Sequence, residues 1–260
     1  MTMLAEALNA DALGSRPTAV AVDHVTKRYA TGVVALDGID LEVRKGEFLC
    51  VVGASGCGKS TLLNLVAGLD SPTIGTVATP GGRPTLLFQE AALLPWLTAA
   101  GNVELGLRLR GVGRRERRAE AEELLALVHL AGMGERRPHE LSGGMRQRVA
   151  LARALAQAPD VLLMDEPFGA LDAMTRDLLH DELERIWAET GLTVVFVTHN
   201  VREAARLGDR IVLLTSRPGR VAREFAVDLP RPRRIESPAV SALAGEVTAA
   251  LRQEVARHGR

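Results

Sequence analysis

Three lysines, Lys27, Lys45 and Lys59, stand among 32 basic residues, and all the others are arginine. A lysine set inside a glycine-rich segment, as Lys59 is, therefore stands out. Cysteine is as scarce: Cys50 and Cys57 have no cysteine or histidine cluster beside them. That excludes a disulfide framework and a cysteine-based zinc site, and it makes a reducing compartment the default. Net charge is absent, with 32 acidic residues balancing the 32 basic ones. Nothing then draws the chain over long range toward nucleic acid or anionic lipid, and no nucleic-acid partner is expected. Long apolar runs are missing too. Val161–Met164 and Ile211–Leu214 fall far short of the roughly 20 residues that a membrane span needs. The opening segment carries Glu6 and Asp11 and no basic residue before Arg16, so it lacks the charged start and apolar run of a secretory signal. Residues 1–18 are expected to be a disordered tail.

What is present fits an ordinary folded protein: 260 residues, 47% hydrophobic and 25% charged, enough for one large domain or two small ones. From Ala19 to Val43 apolar residues alternate on either side of a Thr31–Gly32 turn, which predicts a small antiparallel sheet. Phe48–Val52 is a continuous apolar run, as in a strand buried on both faces, and a helical stretch follows from Thr61 to Leu69. Between Gly101 and Gln157 the pattern turns helical, with Ala121, Leu124, Leu125 and Val128 on one stripe, and predicts an inserted helical subdomain over about 90–157. Val161–Met164 and Val194–Val197 flank a helix with a core stripe of Leu179, Leu183, Ile186 and Trp187, and Ile211–Leu214 follows as a further strand. Alternation of strand and helix predicts a parallel α/β sheet. After Arg217 the chain is proline-rich, then amphipathic from Ala239 to His258. It reads as a peripheral helical tail over 236–260.

The strand at Phe48–Val52 runs into Gly53-Ala54-Ser55-Gly56-Cys57-Gly58-Lys59-Ser60, with Thr61 next. The pattern G-x-x-x-x-G-K-[ST] between a strand and a helix is a phosphate-binding loop. Its glycines let successive N–H groups curl around phosphates at a helix N-terminus. Lys59 would reach the β- and γ-phosphates of ATP, and the Ser60 hydroxyl would hold Mg²⁺. Cys57 reads as a space-filler, because no local His or Asp stands ready to activate it. A second apolar strand ends in Asp165 and Glu166. At the carboxyl edge of a parallel sheet Asp165 can meet Mg²⁺ beside the loop, while Glu166 points elsewhere and can polarise a water.

Leu141-Ser142-Gly143-Gly144-Met145-Arg146-Gln147-Arg148 opens another helix. Ser142 is a good N-cap, and Gly143 and Gly144 allow an anion to approach the helix end. This stretch resembles the LSGGQ signature of ABC-transporter ATPases, and the resemblance covers residues 19–235, with every element in order. It implies a P-loop NTPase fold: a RecA-like parallel core, an N-terminal antiparallel β subdomain and an inserted α-helical subdomain. By the same resemblance Tyr29 would stack on adenine, although an aromatic near a strand end is usually packed. Gln89 would sense Mg²⁺ and the attacking water, Asp172 would address a second subunit, and His199 would contact the γ-phosphate. Glu166 would be the general base. The family pairs head to tail, so Ser142, Gly143 and Gly144 would close over ATP held by the other copy. Membrane permease subunits and an external substrate-binding protein would complete the assembly, at the cytoplasmic face of a bacterial inner membrane.

Within that family the stretch Leu93-Leu94-Pro95-Trp96, residues 165–176 and residues 227–234 resemble the nitrate, sulfonate and taurine importer branch, most of all its aliphatic-sulfonate ATPases. Trp96 and Leu97 would dock a permease helix, or pack internally. A soluble ATPase of the same family acting on DNA or ribosomes, and a small-molecule P-loop kinase, remain as other readings. The first would need a coiled-coil insertion or a second cassette, and the second has no use for the Ser142 segment. No arginine near the phosphate loop offers itself from the sequence as a finger for the γ-phosphate.

Overall fold

The computed structural model describes residues 16–80, 82–169 and 171–258; the expected tail lies, up to residue 15, outside the described residues. Strand β1 (Thr18–Arg28) pairs antiparallel with β2 (Val34–Arg44). Next come β3 (Phe48–Val52), α1 (Lys59–Val66), β4 (Ile74–Ala78) and β5 (Pro84–Leu87). The helical region holds α2 (Ala99–Leu109), α3 (Arg114–Leu127), a 3-10 turn (Pro138–Glu140) and α4 (Gly143–Leu155). Then follow β6 (Val161–Asp165), α5 (Ala173–Thr190), β7 (Thr193–Val197), α6 (Val201–Leu207), β8 (Arg210–Leu214), β9 (Val221–Ala226) and α7 (Pro238–His258).

Strands β2, β1 and β4 form one antiparallel sheet, and β5-β6-β7-β3-β8-β9 form another, in that order. Five of the six strands in the larger sheet run parallel, and only β9 runs against its neighbour. The central strands are buried on both faces, which is why they read as unbroken apolar runs. Alternate residues serve different cores. Phe48, Cys50 and Val52 face α2, α4, α5 and α7, whereas Leu49 and Val51 face α1 and the antiparallel sheet.

Two features differ from the sequence expectation. Val221–Ala226 is a strand, β9, in which Phe225 alone is buried, so it lacks the continuous apolar run of the central strands. The C-terminal helix is not peripheral. Val240, Ala244 and Val247 of α7 are buried in the main core, and α7 packs on α6. Small side chains at this spacing let the two helices approach closely.

The helical region is seated by a close backbone approach. A Cβ on Gly106 of α2 would lie 2.6 Å from the carbonyl oxygen of Arg153 and 2.9 Å from the Ala156 Cβ. In a free helix Gly→Ala gains about 1 kcal/mol. Here Gly106→Ala is expected to cost on the order of 1–3 kcal/mol through overpacking, seen as a lower midpoint in urea unfolding. A raised midpoint would refute the close approach.

Candidate active site

Each of the five parallel strands delivers a site residue at its carboxyl end. Strand β3 leads into the Gly53–Ser60 loop, β5 toward Gln89, β6 into Asp165 and Glu166, β7 toward His199, and β8 toward Arg217. Residues of these segments, His199 excepted, line a cavity of about 610 Å³ together with Tyr29, Val33 and Val34, and Lys59, Gln89, Asp165 and Glu166 are among them.

The loop's geometry is dictated by its glycines. Gly56 (φ 73°) and Gly58 (φ 98°) are left-handed, a conformation open to glycine at little cost. A Cβ on Gly58 would also lie 2.6 Å from Leu36 Cδ2, and one on Gly53 would lie 2.7 Å from Cys57 Sγ. Ser55 and Ser60 are exposed at the rim, while Ala54 is half-buried. Lys59 is buried, and its ammonium donates to the carbonyls of Gly53 (2.9 Å) and Ala54 (3.1 Å). Cys57 belongs to the apolar core under the loop, and burial pushes its thiol up in pKa against the pull of Lys59. That environment is a space-filler's, not a nucleophile's. Tyr29 lines the same cavity, and its hydroxyl is 3.1 Å from Thr61 Oγ1.

Beside the loop Asp165 is half-buried and hydrogen-bonded by the Ser60 hydroxyl. Burial raises its carboxyl, with Ser60 opposing and the neighbouring Glu166 charge adding to the rise. A half-buried carboxylate beside a hydroxyl, with the Gln89 amide near, is a hard oxygen donor set of the kind Mg²⁺ takes. Glu166 has a left-handed backbone (φ 43°), a state worth on the order of 1–3 kcal/mol of strain in a non-glycine residue. It is held there by bonds from its own N–H to the Val197 carbonyl (2.9 Å) and from the Gly169 N–H to its carbonyl (3.2 Å). The turn aims Glu166 Oε2 at His199 Nδ1, 2.8 Å away. The Gln89 amide nitrogen and Glu166 Oε2 both lie 3.9 Å from the point where a Gly169 Cβ would stand. The Gln89 backbone carbonyl accepts from Gln147 Nε2 at 2.6 Å, which ties β5's end to α4.

Ser142, Gly143, Gly144 and Asp172 are not brought to this cavity. Ser142 caps α4 by accepting from the Met145 N–H (3.2 Å), and Asp172 caps α5 by accepting from the Thr175 N–H (3.0 Å). That backbone bond holds the Asp172 carboxyl below its usual range. The two helix N-termini are neighbours: a Gly144 Cβ would collide with Thr175 Cγ2, and one on Gly143 would touch Leu171. They present a shared, exposed, positive-ended surface.

One lining residue escaped the sequence reading. Arg217, in the β8–β9 connection, donates from Nε to the Gly56 carbonyl (3.1 Å), and its Nη2 lies 2.5 Å from where a Gly56 Cβ would stand. An arginine does stand beside the phosphate loop. It lies 161 residues further along the chain, and no local motif marks it; only the sheet order places β8 beside β3.

The ABC transporter family profile matches residues 36–169. An uncharacterized ABC transporter ATP-binding protein of Methanocaldococcus jannaschii is 49% identical over 222 residues, covering 82% of this chain and 83% of that one. The nitrate import ATP-binding protein NrtD of a Synechocystis strain is 49% identical, covering 76% and 77%. The bicarbonate transport ATP-binding protein CmpC of the same strain is 45% identical over 92% of this chain, which spans only 41% of that longer relative. Among solved structures, the ATP-binding cassette MJ0796 in a dimeric post-hydrolysis state with ADP and Pi aligns with a TM-score of 0.73 and 37% identity, covering 80% of this chain and 98% of the cassette. Fold, site and likeness agree: the chain belongs to the ABC transporter family, as one of its ATP-binding, ATP-hydrolysing cassettes.

Proposed function

We propose that this cassette energises uptake of a small oxyanion, working as a head-to-tail homodimer beneath permease subunits that an external substrate-binding protein supplies. The observation that carries the hydrolytic part is the 2.8 Å contact between Glu166 and His199 at the cavity floored by Lys59. Tyr29 stacks on the adenine, and the N–H groups from Ala54 to Thr61 wrap the phosphates. Lys59 exchanges its two loop carbonyls for phosphate oxygens. Glu166 takes a proton from water as the water oxygen attacks the γ-phosphorus and the bond to the β-phosphate bridging oxygen breaks, releasing ADP and phosphate. His199 orients Glu166 and faces the γ-phosphate. Mg²⁺, when bound, would neutralise charge on the β- and γ-oxygens, and Ser60, Asp165 and Gln89 are the residues to hold it.

The need for a second copy follows from where the signature lies. Ser142, Gly143 and Gly144 sit outside their own chain's cavity, so their helix N-terminus can meet a γ-phosphate only across an interface, with Asp172 beside it. MJ0796 is dimeric in its solved structures. The permease side is supported by a cavity of about 650 Å³ lined by Gln89, Leu93, Pro138, Gln147 and Leu171, and by Trp96, three residues beyond Leu93 in the chain, which is 68% exposed and not packed inside. An exposed aromatic close in sequence to such a groove fits a docking anchor. No described helix is long and apolar enough to cross a membrane. In this reading the permease subunits span the bilayer and the cassette works at its cytoplasmic face.

Nitrate and bicarbonate are the cargoes in the names of the relatives above, and an aliphatic sulfonate is the narrower reading from Leu93–Trp96 and residues 165–176 and 227–234.

Lys59→Ala is expected to weaken ATP binding by about 100-fold or more, and Arg217→Ala by roughly 3–10-fold, through loss of a charge-assisted contact or of loop order. Equilibrium binding of a fluorescent ATP analogue reads both, and micromolar affinity retained in Lys59→Ala would remove the lysine from the phosphate site. Glu166→Gln should lower turnover by about 100-fold or more with ATP binding intact, and gel filtration with ATP should then show a dimer. Ser142→Arg should stop hydrolysis while a monomer still binds ATP; normal turnover in that variant would disprove the shared site. For the cargo, uptake of nitrate, bicarbonate, taurine and alkanesulfonates is compared in cells that carry the wild-type chain or Glu166→Gln. Loss for one anion identifies it, and no loss for any would overturn the transport reading in favour of a soluble ATPase.

A further inference from the structure

Behind Glu166 and His199 lies a buried polar cluster that hydrolysis as described does not use. Glu203 of α6 is 4% exposed, and its Oε2 accepts from the Thr198 hydroxyl at 2.7 Å. The Thr198 Oγ1 in turn accepts from the Asn200 N–H at 2.9 Å. Both residues flanking His199 are thus fastened to one carboxylate. The other oxygen of Glu203 lies 3.6 Å from Arg176 Nε and 3.8 Å from His180 Nε2. Arg176 donates to the carbonyls of Leu171 (2.7 Å) and Phe168 (3.3 Å), the two ends of the turn that separates Glu166 from Asp172.

His180 completes the cluster. It is fully buried, its Nδ1 faces Arg206 Nη1 at 3.4 Å, and the Phe168 ring meets it edge-on at 5.4 Å. Burial, then Arg206 and Arg176, depress its pKa to about 3, so it is neutral. Nδ1 facing an arginine must accept, which leaves the proton on Nε2, directed at Glu203. Nε2 has no hydrogen-bond partner within normal distance among the described residues. Burial pushes the Glu203 carboxyl up, opposed by Thr198 and Arg176.

A carboxylate and a guanidinium are expensive to desolvate, and apolar packing of the same volume usually stabilises a fold as well or better. An arrangement in which one carboxylate holds the His199 turn, and the arginine beside it holds the Asp172 turn, does what apolar packing could not: it sets two loops against each other. We propose that Glu203 and Arg176 are positioning residues that make the His199 turn and the Leu171–Asp172 turn a single unit. The histidine's seat on Glu166 and the reach of Asp172 toward a second copy then change together. The inference rests on the hydrolytic reading above.

The test is a cycle on the full-length chain, with ATP turnover and ATP affinity read separately. Glu203→Gln should leave ATP affinity within about twofold and lower kcat by about 10–50-fold; in a His199→Ala background the same change should cost less than about twofold more, because its effect runs through the histidine. Thr198→Ser, which keeps the hydroxyl, should retain most of the turnover that Thr198→Val loses. A second readout is an environment-sensitive fluorophore on Asp172→Cys; Cys50 and Cys57 are buried and will not compete for it. Its ATP-dependent signal should fall in Glu203→Gln and in Arg176→Gln. A loss of turnover that is equally large with and without His199, or an unchanged fluorophore signal, overturns the coupling. Should Glu203→Gln not fold, the Thr198 pair and Arg176→Gln decide the matter by the same readouts. If Glu166→Gln hydrolyses ATP as the wild type does, the hydrolytic reading itself fails, and that result is separate from any of these.

Discussion

Parallel pairing of β5, β6, β7, β3 and β8 is the constraint on which everything else hangs. Parallel strands can be joined only by crossovers, so the carboxyl ends collect at one edge and the connections leave from it. Five short apolar segments then suffice to gather residues spread from Lys59 to Arg217 around one cavity. Apolar burial on both faces makes the sheet stiff, and this stiffness lets a strained residue such as Glu166 hold its left-handed turn. The two cores do different work. One clamps the phosphate loop's helix to the antiparallel sheet, and the other seats the helices that carry Ser142, Asp172 and α7.

How much of this could be read beforehand depended on whether the chemistry is local. The phosphate loop was legible because strand, glycines, lysine and hydroxyl fall within one short stretch whose backbone demands those residues. Asp165 and Glu166 were legible for the same reason, at the end of an unbroken apolar strand. Tyr29, Gln89, Asp172 and His199 could be singled out only by family resemblance, since a lone aromatic, amide or histidine at a strand end has no chemistry until something faces it. Arg217 was not legible at all: its meaning lies in the adjacency of β8 to β3, a property of strand order that no spacing encodes. The buried seat of α7 was hidden by a similar cause. Alanines and valines at helical spacing look weakly amphipathic, but they are what a close helix contact requires.

The polar cluster around Glu203 shows a further limit of pattern reading. Glu203 and Arg206 lie in a short helix whose charged residues suggest a solvated face, and Glu203 and Arg206 are each 4% exposed. They are buried because their side chains face α5, where Glu203 meets Arg176 and His180 and Arg206 meets Asp177, His180 and Asp181, while the 227–234 segment covers the end of α6. Arg231 and Arg233 of that segment donate to the carbonyls of Leu207 and Gly208. Buried charges that pair across three elements are a costly way to fill space. They are an effective way to fix orientation, because a hydrogen bond fails at small displacements that an apolar contact tolerates.

On the head-to-tail reading the single chain holds an unfinished site. Lys59, Asp165 and Glu166 line the cavity, with His199 seated on Glu166, but the helix N-termini capped by Ser142 and Asp172 do not reach it, and they lie side by side instead. An electrostatic contribution from a helix end falls off within a turn, so these two can act on a γ-phosphate only by contact. Contact requires a second surface to come down on the cavity. In the proposed head-to-tail pair, a cassette built this way would stabilise the transition state only when two copies close, and closure would bring their α4 and α5 helices together. Because α4 is joined to the end of β5 through Gln147 and Gln89, that closure would also act on the groove at the end of β5. Chemistry and mechanical work would then be one event, which is the property that the proposed transport role requires of the ATPase.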